Sequence, residues 1–304
     1  METQQGGVLN LIKRSFRDFK DDDCMSAAAA LSYYTVFSLP AVLVLLLLVL
    51  GAVMDPADVR GGVERQLETL MGPAAGESVR GVLQHAERPG GGLVPTLLGI
   101  GALLLGATGA VMQLQQALNR AWEVKAVGGG IKAFFGKRVF SLGLLLAIAF
   151  FLLVSLAVSA MLSAAGDRLG GLLPEGLSTA VLFVINLVIS LAVIGLLFAA
   201  MFKVLPDAKI AWGDVWVGAV VTAVLFMIGK FLIGLYLGKS NPGEPYGAAG
   251  SLAILLVWIY YSSIIVLFGA EFTQTWAERR GEGIEPEAGA VRVERHDDQG
   301  LARV

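Results

Sequence analysis

The chain has 304 residues, 56% hydrophobic and 16% charged, with a mean hydropathy of +0.71 and a formal net charge of −2. Soluble domains carry about 25% charged residues, so this composition excludes an ordinary soluble globular protein. The small net charge argues against a nucleic-acid partner, and a single cysteine, Cys24, excludes an intramolecular disulfide framework or a Cys-rich zinc site.

Residues 1–26 are polar and form a first, amphipathic segment. Within it LNLIKRSFRDFK sets Leu11, Ile12, Phe16 and Phe19 against a basic face, the pattern of a helix lying at a membrane interface. A helical bilayer crossing needs about 20 consecutive apolar residues. Six stretches qualify: Ala27–Met54, Leu93–Gln113, Val139–Ala165, Leu177–Met201, Val215–Leu237 and Ala248–Phe272. The polar segment before the first is too long for a simple signal peptide and no small-residue cleavage site follows, so the N-terminus is expected to stay attached. The expected fold is all-α: a polytopic bundle of six transmembrane helices over residues 27–277.

Between the first two spans, residues 55–92 form the longest outward loop. Val59, Val63, Leu67, Leu70 and Met71 recur at helical spacing, as do Val79, Val82, Leu83 and Ala86, and Gly72-Pro73 separates the two runs. That predicts an amphipathic helical hairpin. Residues 278–304 are charged and glycine-rich with almost no apolar run, which predicts a disordered tail. Sixteen lysines and arginines fall on the side of the two termini and six on the other, so both ends are expected in the cytoplasm.

Several stretches carry a resemblance. AAALSYYTVFSLP (Ala28–Pro40), LQQALNRAWEV (Leu114–Val124), LPDAKIAWGDVWVGA (Leu205–Ala219), FMIGKFLIGLY (Phe226–Tyr236), YGAAGSL (Tyr246–Leu252) and FGAEFTQ (Phe268–Gln274) occur in this order. Together they resemble the YihY/BrkB family of bacterial inner-membrane proteins over about Leu11 to Glu278. The resemblance implies six spans and a place in the plasma membrane. Members have been linked to serum resistance, once mislabelled as a ribonuclease, and proposed to move lipids.

Polar residues inside the spans are the candidates for chemistry. Lys230 lies seven residues before Leu237, roughly 10 Å below the outer interface. It shares a helix face with Ala219, Ala223, Gly234 and Gly238, and small residues mark faces that pack on other helices. A cation there costs at least about 2.5–3.5 kcal/mol unless paired or hydrated. Three readings follow: a ligand site, a buried hydrogen-bonding hub, or a lysine snorkelling to the headgroups. Asn186, the Ser155–Ser159–Ser163 stripe and Tyr260 with Tyr261 fall at similar depth and are the expected lining, although serines and asparagines also serve as plain interhelical glue. No acidic residue stands at that depth in the sequence, which favours an anionic ligand.

Pro40 interrupts the long first span and is expected to kink or break it, and broken helices line sites in transporters. At the inner end, Gln113, Gln116, Arg120 and Glu123 share a side of the second helix, Asp207 and Asp214 flank the fifth span, and Glu271 ends the sixth. Arg120 is expected to pair with Glu123 or Glu271 as an inner gate; a network of caps and salt bridges accounts for the same residues.

These features favour a transporter or exporter of an anionic amphiphile such as a lipid. The alternative is a non-transporting scaffold for envelope assembly. Enzyme chemistry, ribonuclease included, lacks clustered metal-binding acids or histidines, and no Gly-x4-Gly-Lys-Ser/Thr phosphate loop occurs. No cofactor or metal is expected. The expected partners are membrane lipids, with an envelope protein or a second copy of the chain as further possibilities.

Overall fold

A computed structural model describes residues 7–51, 55, 60–65, 68, 77, 80, 108–127, 143, 175–240, 249–281, 284–287 and 289–293. The helices are α1 (Val8–Asp21), α2 (Cys24–Gly51), α3 (residues 108–121), α4 (Glu175–Val204), α5 (Trp212–Ser240) and α6 (Gly250–Arg279). Among the described residues three stretches are long and apolar enough to cross a membrane: Leu187–Val204 of α4, Trp212–Leu237 of α5 and Gly250–Arg279 of α6. They coincide with the last three expected spans, and the 28-residue α2 carries the first. Most of the second and third expected spans lies outside the described residues.

α6 is the centre of the bundle. It packs on α5, α2 and α1, while α4 packs on α5. Residues Gly269–Thr275 are buried without a break, because α1, α2 and α5 wrap this end of α6. α5 is two-sided. Val215, Ala219, Ala223, Phe226, Ile233 and Leu237 form a buried stripe, and Trp216, Val220, Val224, Ile228, Phe231 and Leu235 form an exposed one. Apolar residues on both faces are what a helix needs when protein covers one side and lipid the other.

The α5–α6 contact is reciprocal. A Cβ on Gly218 would come within 2.8 Å of the Thr273 methyl, and one on Gly269 within 2.9 Å of the Thr222 methyl. Each threonine hydroxyl donates to the carbonyl of the glycine four residues before it on its own helix: Thr222 to Gly218 (2.7 Å) and Thr273 to Gly269 (2.6 Å). The two glycines thus make room for the threonine side chains of the facing helix, whose hydroxyl oxygens come nearest of all while each hydroxyl hydrogen is satisfied within its own helix.

Four short strands depart from the all-α expectation. β1 (Val124–Ala126) pairs antiparallel with β4 (Ala290–Arg292), placing Val124 opposite Arg292, and β2 (Ala208–Lys209) pairs with β3 (Glu285–Pro286). The tail is therefore not wholly disordered as its composition predicts. Residues 284–287 and 289–293 are tied in by backbone bonds, including Val127 N–H to Gly289 (2.8 Å) and Val293 N–H to Glu123 (2.8 Å). Nor does Pro40 break the first span: α2 runs through it as one helix. Proline deletes one backbone bond, whereas ending a helix in lipid would strand several.

Of the expected outward hairpin, residues 60–65 are helical, and Arg80 reaches Glu64 (3.2 Å) and Glu68 (3.7 Å). Its remaining residues lie outside those described.

Candidate functional site

Two groups of polar residues stand out, one within the bundle and one at its basic end. Lys230 occupies the buried stripe of α5 between Phe226 and Ile233, and is itself half-buried. The pairs Gly218–Thr273, Thr222–Gly269 and Gly229–Tyr261 fix the antiparallel register of α5 and α6. In that register Lys230 stands level with Tyr261, and Trp258 is one turn further along. A Cβ on Gly229 would lie 3.0 Å from the Tyr261 hydroxyl, so Tyr261 is the tyrosine applied to α5 at this depth. Tyr260, at the same depth, packs instead against the core cluster shared with α1, α2 and α3. Trp258 stacks edge-on to Phe226 at 6.1 Å, and its indole N–H is buried without an acceptor among the described residues. The sequence offers little to single out Trp258, since an indole in an apolar span reads as packing. Ser155, Ser159 and the Asn186 side chain lie outside the described residues.

The basic end is a denser polar network. α3 ends there, and its residues Gln115 and Asn119, four apart, present to the same side. Asn119 donates its amide to Asp207 (2.8 Å) and accepts the Asp207 backbone N–H (2.8 Å), while Gln115 donates to the same carboxylate (3.2 Å). Asp207 thus ties the α4–α5 connection to α3. Asp214 opens α5, is fully buried and pairs with Arg280 (3.3 Å).

Arg120 does not pair with Glu123 or Glu271. It donates to the backbone carbonyl of Asp22 (3.3 Å). Glu123 has φ 52°, a left-handed turn that ends α3 and swings its carboxylate to Arg292 on β4 (3.5 Å). Glu271 faces the α1–α2 turn, where it is wholly buried and accepts a hydrogen bond from the Cys24 thiol (3.4 Å) through Oε1. Its Oε2 receives no donor among the described residues, and the Asp22 side chain interacts with the same carboxyl. Asp18, also buried, accepts from Thr275 (3.4 Å) and pairs with Arg14 (3.6 Å), which in turn bridges to Glu278. Beside this network a cleft of about 580 Å³ opens, lined by Asp22, Gln116, Asn119, Arg120, Glu123 and Lys125 among others.

Apolar helices long enough to cross a membrane, a lysine midway along one of them and a polar network at one end define an integral membrane protein built around a helical bundle. Residues 15–294 match the family model described as virulence factor BrkB, and the chain belongs to that family, the YihY/BrkB membrane proteins. It is 27% identical over 271 residues to a UPF0761 membrane protein of Psychromonas ingrahamii, covering 86% of each chain. It is 31% identical over 279 residues to one from Stenotrophomonas maltophilia and 30% over 255 to one from Pseudomonas aeruginosa. The matches cover 88% and 83% of this chain but only 61% and 59% of those two relatives. No solved structure matches the chain.

Proposed function

We propose that this protein is a transporter or exporter of an anionic amphiphile such as a lipid, seated in the bacterial inner membrane with both ends in the cytoplasm. What supports this is the composition of the Lys230 level. In the middle of two apolar helices stand an ammonium, a phenol and an indole N–H that has no acceptor among the described residues. All three can donate hydrogen bonds, and one carries positive charge; a phosphate or carboxylate headgroup can accept from each of them. Donors gathered at one depth between lipid-facing helices suit a headgroup in transit, and the acyl chains would remain in the surrounding bilayer.

The test is headgroup translocation in proteoliposomes, using a fluorescent anionic lipid and an impermeant quencher. The wild-type chain should speed translocation over empty vesicles, and Lys230→Met should slow it at least tenfold. If the wild-type chain gives no acceleration, the transport reading is wrong and a scaffold for envelope assembly becomes the better account. Orientation is checked separately: a reporter fused after Arg280 should be active only when it requires the cytoplasm.

A further inference from the structure

α1 is fixed to the bundle by one face and leaves another bare. Leu11, Ser15, Asp18 and Phe19 are buried. Phe19 meets Phe268 of α6 edge-on, ring centroids 6.2 Å apart. Phe268 belongs to a stretch long and apolar enough to cross the membrane, so this contact holds α1 near the membrane boundary, not out in water.

The bare face is apolar. Leu9 is 65% and Phe16 64% exposed, and Val8 and Ile12 are exposed beside them. At about 100° per residue these four side chains share one sector about 100° wide, and Lys20, Lys13 and Arg17 fill the next sector of roughly 80°. All three cations are exposed, and none forms an ion pair among the described residues. Arg14, by contrast, lies on another side and is bound to Asp18 and Glu278. α1 therefore presents an apolar strip bordered by a row of positive charge, at membrane depth.

We propose that α1 is an in-plane docking helix for anionic lipid headgroups. Its apolar strip enters the acyl boundary, and Lys13, Arg17 and Lys20 contact phosphates. An acidic protein surface would answer the cations but not four large apolar side chains at this depth; a bilayer surface answers both. This holds whether or not Lys230 handles a transported ligand.

The experiment places a thiol-reactive, environment-sensitive fluorophore on Leu9→Cys or Phe16→Cys in the full chain; the native Cys24 is only 2% exposed and stays unlabelled. Each protein is put in nanodiscs of phosphatidylcholine alone or mixed with phosphatidylglycerol, with headgroup-nitroxide lipid of either class as quencher. Labels at both sites should show apolar emission, and quenching should be stronger by the anionic nitroxide lipid. A label at the exposed Asn10, which lies beyond the basic row, should report water. Changing Lys13, Arg17 and Lys20 to Gln should lower the anionic enrichment roughly fivefold per cation removed. The proposal is overturned by water-like emission at Leu9 and Phe16 in anionic discs. Equal quenching by both lipid classes with no effect of the triple change overturns it too, as does shielding seen only when two chains share a disc.

Discussion

Asn119 and Asp207 grip each other through two hydrogen bonds of 2.8 Å, side-chain amide to carboxylate and backbone N–H to side-chain carbonyl. The pairing joins the end of α3 to the loop between α4 and α5 at the base of the bundle. Both partners are at least half-buried, so neither group recovers its bond from bulk water. Asn119→Ala should cost roughly 2–4 kcal/mol, two bonds lost including one to a charge. Asn119→Asp should cost more, because it sets two carboxylates together. Thermal unfolding in detergent measures both, and a double change with Asp207→Ala should fall clearly short of the sum of the two single effects. Additive effects would mean that the two residues act separately.

At the α5–α6 crossing, Gly218→Ala and Gly269→Ala should each destabilise by about 1–3 kcal/mol, since the new methyl lands on a threonine side chain. Gly218→Ala should be partly rescued by Thr273→Ala, its own contact, and not by Thr222→Ala, which belongs to the other glycine. The check is the loss of helicity on heating for the two single glycine variants and the two double variants. Rescue by the wrong threonine would refute the reciprocal arrangement.

Glu271 permits a test of opposite sign. Its Oε1 accepts from Cys24, while Oε2 is buried beside the Asp22 side chain with no donor among the described residues. In Glu271→Gln the amide oxygen keeps the Cys24 bond and the amide nitrogen gains Asp22 as an acceptor. The Gln variant should therefore be at least as thermostable as the wild type, whereas Glu271→Ala should lose stability through the cavity and the abandoned thiol. A Gln variant as unstable as the Ala variant would show that Glu271 has a donor or cation after all.

The last three spans and the inward-facing Ala219 and Ala223 of α5 were legible in the sequence: runs of about 20 apolar residues mark the spans, and small residues at helical spacing from Lys230 mark the packed face. The partners of Arg120 were not. Spacing brings Glu123 close along the helix, but the left-handed backbone at Glu123 ends the helix and sends the carboxylate to Arg292. β4, Ala290–Arg292, was illegible for another reason: its pairing is made by backbone groups against β1, and three residues carry no alternating pattern to reveal it. Asp207 was picked out only as a residue flanking the fifth span. Gln115 and Asn119, a polar pair four apart just before the end of α3, were the available signal that something polar had to face them.

Trp258 decides what the Lys230 level is for. Its indole N–H is buried and has no acceptor among the described residues, and it stands one turn from Lys230 in the register of α5 and α6. Trp258→Phe removes that N–H and keeps the apolar aromatic body that packs against Phe226. If the indole only fills space, the change removes an unsatisfied donor; stability then holds or rises, and headgroup translocation in proteoliposomes is unaltered. If the indole binds the headgroup, stability still holds, but translocation falls about tenfold, the cost of one hydrogen bond to a charged group. The second outcome is expected, and it should be matched by Lys230→Met and only partly by Lys230→Arg, which keeps the charge. Tyr260→Phe serves as the comparison, because Tyr260 packs with a different core cluster from the one that holds Tyr261 and Trp258, and its hydroxyl should be dispensable for translocation. A Trp258→Phe protein with wild-type translocation would remove the headgroup from this level and leave Lys230 as a structural residue.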